Sequence, residues 1–149
     1  MTRIEMKIAG YGGQGVITLS KFIATAALLY EDKEVVQTEA YGAQARGGSC
    51  WAEVVISDDE EIDYPRAIEP DYLVVLSQEA AGMYRNSLKK DGTVFLDPLT
   101  VTKFQPKSTQ TVYEIPAQKI AKDEFNMPVV ANVIYFAAIS TITNLITID

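Results

Sequence analysis

Two glycine-rich stretches carry the residue types and spacing that could do chemistry. The first is Gly10-Tyr11-Gly12-Gly13-Gln14-Gly15. Glycines at Gly10, Gly12 and Gly15 allow a tight turn and a close approach of the segments on either side. If a helix starts just after it, unpaired backbone N–H groups would face the turn and favour an anion. The second stretch runs over residues 41–48, Tyr41-Gly42-Ala43-Gln44-Ala45-Arg46-Gly47-Gly48. Arg46 supplies a permanent cation with a planar donor fork, and Gly42, Gly47 and Gly48 supply backbone freedom. Three readings stay open for this loop: it holds a phosphate or carboxylate, it docks on another subunit through Arg46, or Arg46 caps a nearby carbonyl or acid. The first stretch is equally open between a dinucleotide, another anion or partner, and a purely structural turn. A dinucleotide site wants an acid about 20 residues further on. Glu39 is the nearest, and it lies too far along.

The elements that must position these loops follow from periodicity. Residues 4–9 form a short apolar run before the first glycine stretch, and Val16, Ile17, Leu19, Phe22, Ile23, Ala26, Ala27 and Leu28 recur after it at helical spacing. A second strand at residues 35–38 completes a parallel strand–helix–strand unit. That puts the Arg46 loop on the same edge of the sheet as the glycine turn. Residues 50–57 read as a strand rich in β-branched residues, and residues 58–61 as a solvated acidic hairpin tip with a short return strand at 62–65. Residues 72–76 are apolar on both faces, as a central parallel strand would be. Ser77 caps a helix expected over residues 78–88. A strand at 93–96, an irregular excursion to residue 110, a late strand at 112–115, a short helix from Pro116 to residue 121, and a last apolar helix capped by Asn132 complete the chain. The expected fold is a single α/β domain over residues 1–149, a three-layer, mostly parallel Rossmann-like sheet with helices on both faces.

Composition narrows the function classes. A 48% apolar, 22% charged chain of 149 residues suits one soluble domain. A net charge of −7 argues against nucleic acid and leaves no polybasic patch for a membrane. With no His and one Cys, the chain cannot assemble a usual zinc site, ligate an iron–sulfur cluster alone or close an internal disulfide. A reducing cytoplasm is the simplest home. The first strand starts almost at once, which leaves no space for a signal peptide. Residues 129–148 come nearest to a membrane span, but Asn132, Ser140, Thr141, Thr143, Asn144 and Thr147 interrupt them, so a buried helix is expected. Cys50 reads as a buried strand cysteine.

Taken together, the two glycine motifs, the strand Glu53-Val54-Val55-Ile56-Ser57, the Pro70-Asp71 pair with its strand, and the late helices from Ala117 and Asn132 resemble the gamma subunit of 2-oxoacid:ferredoxin oxidoreductases. The similarity spans nearly the whole chain. The Arg-Gly-Gly form is most similar to the 2-oxoglutarate branch, while the pyruvate, 2-oxoisovalerate and indolepyruvate branches share the pattern. The resemblance implies a concrete reaction: thiamine diphosphate with Mg2+ decarboxylates a 2-oxoacid, [4Fe–4S] clusters pass electrons to ferredoxin, and coenzyme A (CoA) takes the acyl group. It also implies that the thiamine site belongs to alpha and beta subunits, that delta is a further partner where present, and that this chain holds no cofactor alone. Gly12, Gly13, Gln14 and Gly15 with Tyr41, Gly42, Arg46 and Gly47 are then expected to face those partners and CoA, with no catalytic or metal-ligating residue here. An isolated gamma subunit is expected to expose apolar surface and to self-associate or bind its partners. Family members usually run a few tens of residues beyond the Asn132 helix, so part of the docking surface is expected to be absent or supplied elsewhere. The alternatives are a free-standing nucleotide-binding protein and a non-catalytic interaction domain.

Overall fold

The structure, a computed structural model, describes residues 3–41, 49–58 and 61–147. Gly42, Arg46 and Gly47 therefore lie outside the described residues. The first strand, β1 (Arg3–Tyr11), leads through the glycine turn into α1 (Val16–Tyr30). Then come β2 (Glu34–Tyr41), β3 (Ser49–Ser57), β4 (Tyr72–Val75), α2 (Gln78–Tyr84), β5 (Thr93–Leu96), β6 (Thr111–Glu114), α3 (Ala117–Phe125), a 3₁₀ turn (Pro128–Val130) and α4 (Ala131–Thr143).

The strands form one six-stranded sheet in the order β2-β3-β1-β4-β5-β6. Strands β1, β4, β5 and β6 pair in parallel, and β3 is antiparallel to both β1 and β2. The expected strand–helix–strand unit is thus present in direction but not in adjacency. β2 runs the same way as β1, yet β3 folds back between them as a hairpin partner of β2. Alternating apolar residues explain the insertion. Cys50, Ala52, Val54 and Ile56 of β3 join Met6 and Ile8 of β1 in one core, so β3 buries a full apolar face only between two neighbours.

That core also takes Val16, Leu19 and Ile23 from α1, Ala117 and Ala121 from α3, and Tyr135 and Ile139 from α4. Three helices therefore cover the first face of the sheet. The second face holds a smaller core, Ala9, Leu73, Val75, Val94 and Leu96 under Ala80, Ala81 and Leu88 of α2 and its following turn. This gives the expected three layers with helices on both faces.

Three local expectations are revised. Residues 62–65 form no strand; the Arg3 guanidinium donates to the Tyr64 and Arg66 carbonyls, which removes them from any ladder. Asp59 and Glu60 of the expected acidic tip lie outside the described residues; residues 61–71 form an irregular strap. The helix from Gln78 stops at Tyr84, because Ser87 turns its hydroxyl onto the Tyr84 carbonyl and the Lys89 N–H goes to Pro70. Asn132 is not a cap: the 3₁₀ turn runs straight into α4 and puts Asn132 inside the first helical turn. Ser77 does cap α2, accepting from the Ala80 N–H at 3.1 Å.

Candidate functional site: the rim at the carboxyl ends of β1 and β2

The sheet register puts the first glycine motif on the same rim as Tyr41 and Ser49, the described residues on either side of residues 42–48. Gly10 lies opposite Cys50 across β1 and β3, and Cys50 lies opposite Tyr41 across β3 and β2. Tyr41 ends β2 and Ser49 opens β3, both at the level where the glycine turn begins.

The turn is built from its own backbone. Gly13 at φ 93° and Gly15 at φ 84° sit in the left-handed region, which any side chain would strain. At Gly15 space adds a second demand, since a Cβ there would overlap the Asn132 side chain. Gln14 then ties the turn to the next strand. Its Oε1 accepts from the Tyr11 N–H and its Nε2 donates to the Leu76 carbonyl, both at 2.7 Å.

These ties matter for the kind of ligand the rim can take. Strand β1 feeds α1 on the first face and β4 feeds α2 on the second, so the crevice beyond their carboxyl ends is the topological switch point where open α/β sheets bind ligands. Here Gln14 spans that crevice. Beside it the Tyr11 hydroxyl reaches Glu79 in the first turn of α2, and this bond to a carboxylate holds its pKa above the usual phenol value. A dinucleotide laid across the switch point would have to displace both ties.

The open space lies to one side, between α1 and α4. A cavity of about 490 Å³ is lined by Gly12, Gly13, Gln14, Gly15, Cys50 and Asn132, with Val16, Ile17 and Thr18 at the start of α1 and residues 128–131 at the start of α4. No side chain caps either helix. The first-turn N–H groups of α1 therefore open on this space, a favourable setting for negative charge, whereas at α4 the carbonyls of the 3₁₀ turn already take the Val130 and Ala131 N–H groups. Asn132 lines it too, and its buried Oδ1 has no hydrogen-bond partner among the described residues. Cys50 is 4% exposed, and burial pushes its thiol pKa up, which makes it a packed wall and not a nucleophile.

The turn residues Gly12, Gly13, Gln14 and Gly15 are thus brought together, with Tyr41 ending β2, two strands over, at the same rim. Asn132 was assigned only as a cap from the sequence, and its place over Gly15 had no local signal. Among the described residues no group of three or more His, Cys, Asp or Glu could hold a metal. One cysteine and no histidine in the whole chain do not fit a cluster's thiolate set.

A second feature of the same helices is apolar and exposed. Leu29, Tyr30, Val129 and Val133 are each more than half exposed, and the rings of Phe22 and Phe136 lie 6.0 Å apart over a groove of about 510 Å³ between α1 and α4. α4 contains no charged residue at all. Surfaces of this kind mark contact with other proteins.

Rim and apolar face together define an α/β domain with a backbone-lined turn and an exposed apolar flank. The chain belongs to the pyruvate ferredoxin/flavodoxin oxidoreductase family, whose model matches residues 5–149. It is 44% identical to the 2-oxoglutarate synthase subunit KorC of Methanocaldococcus jannaschii over 97% of this chain and 78% of that one. To the subunit of the same name from Methanothermobacter marburgensis it is 40% identical, over 98% of this chain and 81% of that one. Among solved structures it resembles the gamma subunit of a keto/oxoacid ferredoxin oxidoreductase from Geobacter sulfurreducens, with TM-score 0.81 and 33% identity, covering 97% of this chain and 79% of that one. The chain is accordingly a gamma-type subunit of an oxoacid oxidoreductase, a part of a multi-subunit enzyme. No helix among the described residues is long and apolar enough to cross a membrane.

Proposed function

We propose that this chain is the gamma subunit of an enzyme that converts 2-oxoglutarate to its acyl-CoA with ferredoxin as electron acceptor, working with alpha and beta subunits and, where present, delta. Its role is to shape the subunit interface and the region where CoA enters. Gly12, Gly13, Gln14, Gly15, Tyr41, Gly42, Arg46 and Gly47 face the partners and CoA. The observation that carries this reading is the shared rim, where Tyr41 and Ser49, the strand ends on either side of residues 42–48, lie level with a cavity at the uncapped start of α1. The anionic end of CoA fits such a cavity electrostatically. Thiamine diphosphate, Mg2+ and [4Fe–4S] clusters belong to the other subunits in this reading, since this chain lacks the donor set for them.

Co-expression with alpha and beta subunits of the same enzyme type tests it. The expected result is a stable complex that reduces a low-potential dye when both 2-oxoglutarate and CoA are present, and reduces it more slowly with pyruvate. Failure to co-purify, or a complex that prefers pyruvate, overturns the corresponding half of the proposal. Arg46→Ala is expected to raise the apparent KM for CoA while the complex stays assembled; an unchanged KM in an intact complex removes the CoA assignment. Micromolar binding of NAD by the isolated chain would favour the nucleotide-binding alternative, against which the Gln14 tie argues.

A further inference from the structure

A second cleft lies on the opposite face of the sheet, where α2 and the excursion after β5 fail to close onto each other. The excursion is firmly held. Gln78 Oε1 accepts from the backbone N–H groups of Thr102 and Lys103, each at 3.0 Å, and Gln78 Nε2 donates to the Lys103 carbonyl at 2.8 Å. Val101 is 3% exposed and Phe104 packs against the second core, so the backbone around Lys103 is fixed from both sides. What remains between the excursion and α2 is a space of about 480 Å³, within the usual range of small-molecule sites.

Its lining is cationic. The chain carries 20 acidic residues against 13 basic ones, yet no acid lines the cleft. Two cations do, Arg85 from the end of α2 and Lys103 from the excursion, and neither forms a salt bridge within the described residues. Glu79, the one acid in the first turn of α2, is engaged by Tyr11.

Gly82 adds an independent observation. It sits inside α2 and lines the cleft, and a Cβ built on it would meet nothing within 4 Å. Packing therefore does not require glycine here, although glycine in a helix interior costs about 1 kcal/mol relative to alanine. A residue that weakens its own helix without a steric reason in the chain points to something else that needs the space.

We propose that this cleft binds a small organic phosphate, with the phosphate held by Arg85 and Lys103 and the organic part lying along Gly82 and Phe104. A forked cation and a point cation with no competing carboxylate match a dianion better than a single carboxylate. The site stands apart from the rim and does not depend on the reading given above for it.

The test is an NMR titration of the 149-residue chain, uniformly labelled with nitrogen-15, with AMP, phenyl phosphate and glycerol 3-phosphate, against sodium sulfate at matched ionic strength. At least one organic phosphate should give saturable shifts centred on the amides of residues 78–85 and 101–105. Arg85→Gln and Lys103→Gln should each weaken that binding about tenfold or more, the loss of one charge-assisted contact. Gly82→Leu should abolish it while leaving the melting temperature unchanged or raised, an outcome a merely structural glycine would not give. Three results overturn the proposal. They are the absence of saturable shifts with all three probes, shifts centred instead on residues 12–18, and variants that bind like the parent chain.

Discussion

The two faces of the sheet solve the burial problem in opposite ways. The first face is covered by α1, α3 and α4 and is almost wholly apolar. Its principal polar feature is Asp97, fully buried, which accepts from the Leu99 N–H at 2.9 Å, the Gln118 N–H at 3.0 Å and the Tyr135 hydroxyl at 2.5 Å. That carboxylate stitches the end of β5 to α3 and α4, and every donor around it has a place. The second face, under one short helix and a strap, buries ions. Lys7 and Glu53 lie directly opposite each other on β1 and β3 with Nζ and Oε2 3.8 Å apart, and Arg66 from the strap donates to Glu53 Oε1 at 2.5 Å. Lys7 is sandwiched between the rings of Trp51 and Tyr84, at 4.7 and 4.2 Å, and Arg66 lies 4.7 Å from the Trp51 ring. Glu53 Oε2 and Thr38 Oγ1, on register-paired residues of β3 and β2, are buried without hydrogen bonds among the described residues. The difference teaches where specificity sits. Apolar packing tolerates many arrangements, whereas two cations sharing one buried carboxylate admit few, so the second face fixes the β1–β3 register and holds the strap.

The largest effect should come from breaking the ionic face. Glu53→Ala leaves Lys7 without a counter-charge in a buried setting and is expected to cost about 3–5 kcal/mol, read from the denaturant midpoint. A loss below about 1 kcal/mol would mean the cluster is solvated and the contrast between faces is overstated.

At the boundary between the faces, Gly15→Ala should cost about 1–3 kcal/mol, from its positive φ and the clash with Asn132. Asn132→Ala removes the clash but not the backbone strain, so the double variant should recover part of that loss. Strict additivity in the cycle would show that the two residues do not touch.

On the apolar face, Tyr135→Phe removes one of three donors to Asp97. It should cost about 1–3 kcal/mol, the usual range for a buried polar group left short of a partner. Burial and the Asp97 carboxylate hold the Tyr135 pKa far above the ordinary phenol value, so no tyrosinate should form there below the pH at which the fold is lost. An ultraviolet titration in which all tyrosines ionise together in the folded state would contradict that.

Lys7 gives a smaller, pH-dependent signal. Burial lowers its pKa, against the pull of Glu53, so between its folded value and the ordinary lysine value the unfolded chain binds the extra proton. Stability should therefore rise with pH through that window in the parent chain, relative to Lys7→Met. A falling difference would reverse the assigned sign. Smallest of all, Leu29→Glu on the exposed flank should change stability of the isolated chain by no more than about 0.5 kcal/mol, yet weaken assembly with partner subunits. Unimpaired assembly would remove the flank from the interface.

Local signals in the sequence were sufficient for much of this architecture. The apolar run before Gly10, the helical spacing after Val16, Ser77 before α2 and the doubly apolar β4 each report on their immediate neighbourhood, and each element formed there. The order of strands was not legible, because pairing of β3 with both β1 and β2 is a non-local choice that the β-branched run alone does not express. For the rim, the sequence located the glycine turn and its edge of the sheet. The residue over Gly15 arrives from 117 positions away, and Asn132 looked like a cap because its type is common there. The ion cluster had a faint signature in the alternation of Arg3, Glu5 and Lys7 along β1 and of Trp51 and Glu53 along β3. Arg66 had none, since the strap that delivers it has no periodicity.

Trp51 is the chain's sole tryptophan, and it is stacked against both cations of the ionic face. Intrinsic fluorescence will therefore watch that half of the protein and be nearly blind to the helical half, which dominates far-ultraviolet dichroism. Denaturation followed by both optical signals becomes a direct check on whether the two layers let go in concert or in sequence.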